Sequence, residues 1–92
     1  MDISLHNTLR IRTDVVFRQL DDEAVLLDLK SGTYFGLNMV GTRIWQLLGE
    51  RAPLATVLDT LADEYDTERD ELERDLLSLG RELCARGLTE VT

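Results

Sequence analysis

The sequence predicts an α+β fold of the winged helix-turn-helix type, with a three-stranded antiparallel sheet followed by three helices. Three observations lead there. The first third alternates strand-forming runs with short turns. The remainder carries three apolar stripes at helical spacing, each bounded by start or stop residues. The chain has 92 residues, 43% of them hydrophobic, which is enough for one core and too few to divide, so residues 1–92 read as a single domain.

Residues 14–20 contain Val15, Val16 and Phe17, all strand formers, and Asp21-Asp22 gives a turn. Residues 23–29 form a second run, with Val25, Leu27 and Leu29 on one face and Ala24 and Leu26 on the other. Lys30, Ser31 and Gly32 make the next turn. Thr33 to Leu37 is a short third strand, with Thr33, Phe35 and Leu37 on one face and Tyr34 and Gly36 opposite. Two short turns joining three strands make a meander, so the first and third strands are its edges.

Asn38 is suited to cap a helix carrying Val40, Ile44, Leu47 and Leu48. Trp45 lies off that arc, which leaves two readings: a partner surface, or packing on a neighbouring helix. Pro53 opens a second helix, in which Leu54, Val57, Leu58, Leu61, Ala62 and Tyr65 give the cleanest amphipathic pattern in the chain. Thr67, with Asp70 three residues on, approximates a capping box for a third helix. Leu72, Leu76, Leu79 and Leu83 line one flank of it, and Leu77, Gly80 and Cys84 another. Gly87-Leu88 is a Schellman stop, leaving residues 89–92 as a tail.

The net charge of −8 disfavours nucleic acid and anionic lipid as partners. Residues 50–75 hold ten acids against Arg51, Arg69 and Arg74. The third helix opens Thr67-Glu68-Arg69-Asp70-Glu71, which would repel a DNA duplex where winged helices usually meet it. Cys84 is the only cysteine and His6 the only histidine, too few ligands for a metal site of that kind. There is no glycine-rich phosphate loop. No secretory signal or membrane-length apolar run is visible, so the expected location is the cytoplasm. No active site, cofactor or metal is expected.

What the architecture offers is the edge strand. An extended peptide could pair with the main chain of Thr33, Tyr34, Phe35, Gly36 and Leu37. Selectivity would need apolar pockets, and the third helix can supply their wall. The wall closest to hand is the Leu72–Leu76–Leu79 stripe with Asp75 at its polar border, on the reading that the other flank faces the core; the alternative is that both flanks are buried against other helices.

The stretch Ala24-Val25-Leu26-Leu27-Asp28, then Ser31-Gly32-Thr33-Tyr34-Phe35-Gly36-Leu37-Asn38, resembles the PqqD family. Gly41, Ile44, Trp45, Leu47 and Leu48 continue the likeness, which spans roughly residues 14 to 88. The resemblance implies a winged helix-turn-helix domain that binds the leader segment of a ribosomally made precursor peptide. The leader is implied to add as a strand to the third strand, against the third helix, for presentation to a modifying enzyme such as a protease, cyclase or radical SAM enzyme. The "YFGLN" and "IW" wording is similar to standalone members from lasso-peptide clusters, with pyrroloquinoline quinone maturation or a helix-mediated protein adaptor as alternatives. A homodimer is compatible with the sequence.

Overall fold

The computed structural model describes residues 3–92. In chain order it contains β1 (Leu9–Ile11), β2 (Val15–Leu20), β3 (Glu23–Asp28), β4 (Thr33–Leu37), α1 (Met39–Leu48), α2 (Leu54–Glu64), α3 (Arg69–Ala85) and β5 (Thr89–Val91). The expected three-stranded antiparallel sheet is present in the order β2-β3-β4, with the three helices after it. Residues 89–92 are not the free tail that the sequence suggested. Thr89–Val91 pairs antiparallel with Leu9–Ile11, Leu9 opposite Val91 and Ile11 opposite Thr89. Each strand is three residues long, too short to carry a period, and its partner lies at the other end of the chain.

Local chemistry accounts for the turns and helix ends. Leu20 and Glu23 face each other across the two-residue turn Asp21-Asp22. Asp21 adopts φ 57°, a left-handed conformation that short polar side chains tolerate better than most. Gly32 at φ 74° closes the β3–β4 connection. The Asn38 Oδ1 accepts the Gly41 N–H at 2.8 Å, which is the expected cap of α1. Pro53 has no side chain that could cap α2. The Leu54 and Ala55 N–H groups instead donate to the Asn7 and Leu5 carbonyls at 2.8 and 2.9 Å, so the N-terminal segment satisfies that helix end. The Schellman stop after α3 forms as expected. Leu88 N–H donates to Leu83 C=O at 2.9 Å and Gly87 N–H to Cys84 C=O at 3.0 Å, with Gly87 at φ 73°.

Thr67 does not cap α3. The helix starts at Arg69, its flanking residue is the extended Glu68, and no side chain bonds its free amides. That first turn is exposed, so water can serve those amides, while Asp70 and Glu71 complement the helix dipole.

One apolar cluster joins all these elements. Ala24 and Leu26 face it from β3, and Leu37 from β4. The inner row Phe17–Leu26–Phe35 runs across the three strands, whereas Leu29 is exposed. Leu54, Val57, Leu58 and Leu61 of α2 are buried, as their spacing predicted. Trp45 is buried too, which removes the partner-surface reading for that residue.

A polar node locks the hairpin to the end of α3. The Arg12 guanidinium donates to Asp14 at 2.8 and 2.9 Å, to Asp28 at 3.1 Å, and to the Gly87 carbonyl. Asp28 is 6% exposed and also accepts from the Lys30 N–H and the Ser31 hydroxyl, both at 3.0 Å. Burial opposes its charge, but those two bonds and the Arg12 cation outweigh it, so its carboxyl titrates below the ordinary aspartate range. A carboxyl whose value is depressed by folding adds stability above its unfolded value, about 3.9, and that stability is lost as pH falls through the folded value. Asp28→Asn should therefore lower the melting temperature at about pH 7, and the gap from wild type should shrink at about pH 2.5. Thermal melts of both proteins at the two pH values measure this; a gap that does not narrow would assign the loss to packing instead.

Candidate peptide-binding groove

β4 is an edge strand, and the register fixes which of its backbone groups are free. The Leu29 N–H donates to the Asp14 carbonyl at 3.0 Å, one residue beyond the Val15–Asp28 pair. Hydrogen-bonded pairs alternate along an antiparallel ladder, so Leu27, Val25 and Glu23 also point their backbone groups at β2. Ala24, Leu26 and Asp28 then point theirs at β4, where they face Leu37, Phe35 and Thr33. This leaves the N–H and C=O of Tyr34 and Gly36 directed outward from the sheet.

Beside this edge runs an open groove of about 390 Å³ between β4, the start of α1 and one side of α3. Phe35, Leu37, Val40, Ile44 and Leu79 give it an apolar floor. Asp75, Ser78 and Glu82 of α3 and Asn38 of α1 supply polar groups. Gly41 also lines it. A Cβ there would come within 3.2 Å of the Asn38 cap oxygen and 3.4 Å of a Leu37 methyl, so a bare backbone keeps the helix start close to the strand. At one end the Arg86 guanidinium lies 4.9 Å from the Phe35 ring centroid and 3.4 Å from Glu82.

The residues expected from sequence divide into two groups. Phe35, Gly36, Leu37, Asp75 and Leu79 meet at the groove. Thr33 and Tyr34 complete the strand and are exposed, Tyr34 at 69%. Leu72 and Leu76 do not line it. They are 2% and 0% exposed and belong to the core, where they face the same cluster as Leu58 and Leu61. The second flank does not reach the groove either: Gly80 is buried against Ile3 and Leu9, and Leu77 and Cys84 pack against the core. The groove belongs to a third arc, Asp75-Ser78-Leu79-Glu82, spaced i, i+3, i+4, i+7. That spacing was visible in the sequence, but with one leucine among polar residues it reads as a solvent face. The contribution of α1, through Val40, Gly41 and Ile44, had no sequence signal separating it from core packing.

Among the described residues no group of three or more His, Cys, Asp or Glu side chains is disposed to hold a metal ion. Among the same residues no helix is long and apolar enough to cross a membrane.

Fold and groove together define a winged helix-turn-helix domain whose β4 edge runs beside an open groove. The chain belongs to the PqqD family, described as "Coenzyme PQQ synthesis protein D (PqqD)", which matches residues 23–88. Two solved structures are similar over nearly the whole chain. One is described as TbiB1 in complex with the TbiA(beta) leader peptide. It is 44% identical, with a TM-score of 0.81, covering 88% of this chain and 94% of its own. The other is lasso peptide synthetase B1 complexed with the leader peptide. It is 35% identical, with a TM-score of 0.80, covering 90% of this chain and 98% of its own. No curated protein sequence matches the chain.

The two roles of the α3 leucines are separable by truncation. Leu76→Ala should cost about 2–5 kcal/mol, as Leu58→Ala should, because each empties a fully buried site. Leu79→Ala, at a half-buried position, should cost about 1–2 kcal/mol. Urea unfolding of the three variants gives the ranking, and a Leu76→Ala protein as stable as wild type would remove Leu76 from the core.

Proposed function

We propose that this chain captures the leader segment of a ribosomally made precursor peptide and hands it to a modifying enzyme during lasso-peptide maturation. The observation that carries the reading is the free backbone of Tyr34 and Gly36 beside a groove with an apolar floor. An added strand would bond its main chain to those two residues. Its side chains on one face would enter the groove, and those on the other would lie beside exposed Tyr34. Backbone bonds give affinity without selectivity, and the floor of Phe35, Leu37, Val40, Ile44 and Leu79 selects for apolar leader residues. Asp75 and Glu82 at the border favour a basic or polar residue next to them.

Two leader-bound relatives, at 44% and 35% identity, the second a lasso peptide synthetase B1, favour this pathway over the quinone cofactor named in the family description. On this reading the chain performs no chemistry itself. It acts in the cytoplasm, where precursor and enzyme meet.

Proline substitution tests the strand directly, because proline removes one backbone donor. The Tyr34 N–H points outward, so Tyr34→Pro should leave the sheet intact, as edge-strand prolines do, and weaken leader binding by roughly 2–10-fold or more. The Phe35 N–H points into the ladder, so Phe35→Pro should destabilise the fold itself. The measurements are fluorescence anisotropy with a labelled lasso-precursor leader and thermal melts. Unchanged binding by a folded Tyr34→Pro protein would rule out strand addition at β4.

A further inference from the structure

A second groove lies on a part of the molecule that shares no lining residue with the first. It is bounded by β1, the segment leading into β2, the β3–β4 turn, the α1–α2 connection and the end of α3 with β5. Its volume is about 750 Å³. Arg10, Arg12, Lys30 and Arg51 line it against the carboxylates of Asp14 and Glu90. In a chain of net charge −8 this concentration of cations runs against the overall balance.

The cations are not equally available. Arg10 is held by Glu90 at 2.6 Å, and Arg12 is spent on Asp14, Asp28 and the Gly87 carbonyl. Lys30 and Arg51 are exposed, and among the described residues neither side chain has a carboxylate partner. Arg51 adopts φ 61°, left-handed backbone that favours glycine. Its N–H closes onto the Leu48 carbonyl at 3.0 Å as the chain leaves α1. An arginine at such a position is disfavoured by the backbone.

We propose that this groove docks an acidic peptide segment of a protein partner. Lys30 and Arg51 supply unneutralised charge, while Arg10 and Arg12, already paired, keep the surface between them from turning acidic. The groove's size suits an extended segment bearing several carboxylates better than one small anion. Because the β4 groove lies elsewhere, the partner and a leader can be held at the same time. The proposal does not rest on leader binding.

The probe is an acetylated, amidated hexaglutamate peptide, titrated into the isotope-labelled protein at low salt and followed by amide shifts. Shifts are expected at Arg10, Arg12, Lys30, Arg51 and Glu90 and not at Tyr34 or Gly36. The Lys30→Gln/Arg51→Gln double variant should bind about fivefold more weakly or worse, since each exposed charge contributes modestly. Its affinity for a labelled leader should not change, which separates this proposal from the one above. Raising salt to about 0.3 M should release the peptide, because screening shortens the reach of exposed charges. If the double variant melts early, Lys30→Gln alone gives the same comparison at a turn position. Shifts elsewhere, or equal affinity of variant and wild type, would overturn the proposal. So would inorganic phosphate or ATP binding the groove as tightly as hexaglutamate, since the site would then be one for small anions.

Discussion

The bond network around Arg12 is the constraint on which the groove geometry depends. One guanidinium reaches the start of β2 through Asp14, the end of β3 through Asp28, and the carbonyl of Gly87 just past α3. The hairpin sheet touches the helices mainly through apolar side chains, and such contacts tolerate small rotations. Directional bonds do not. With Asp28 pinned at the end of β3, its partner Thr33 and the rest of β4 are set at a fixed distance from α3. The groove is the space left between them. Asp28 is itself held by Lys30, Ser31 and Arg12, so the turn before β4 belongs to the same unit.

α3 shows how one helix can serve three surroundings. Its 17 residues present Leu72, Leu76 and Leu83 to the core, the arc from Asp75 to Glu82 to the groove, and Glu71, Arg74 and Arg81 to solvent. Leu79 sits where core and groove meet. This division explains why an apolar stripe is a poor guide to a binding wall. Here α3 gives the groove a polar wall with one leucine, β4 and α1 supply most of the apolar floor, and the strongest α3 stripe goes to the core.

Much of the fold was legible because it is written in local chemistry. The Asn38 cap, the Gly87 stop, the turns at Asp21 and Gly32 and the α2 stripe each depend on residues within a few positions of one another. The features that were not legible depend on distant pairings. Three-residue strands at 9–11 and 89–91 have no period to read. The α2 cap comes from carbonyls of Leu5 and Asn7, almost fifty residues upstream, and a backbone carbonyl leaves no mark on sequence. The edge strand was read correctly in position. Its wall was misplaced because helical spacing marks faces without saying which neighbour each one meets.

The β1–β5 ladder carries a consequence for the order of folding. The hairpins and helices join residues that are near in sequence, whereas Arg10 and Glu90 are eighty positions apart. Closing so long a loop in an open chain is entropically costly, and it becomes cheap only after the intervening elements have docked. The ladder is therefore a late event, and with only three residues on each strand it is among the first parts to reopen. Segment 3–8 lies just before β1 and also supplies the caps of α2, so opening at the chain ends loosens the start of that helix. Arg12 follows β1 directly and its N–H extends the ladder to the Leu88 carbonyl at 3.2 Å, so the same opening reaches the network that holds β4 in place.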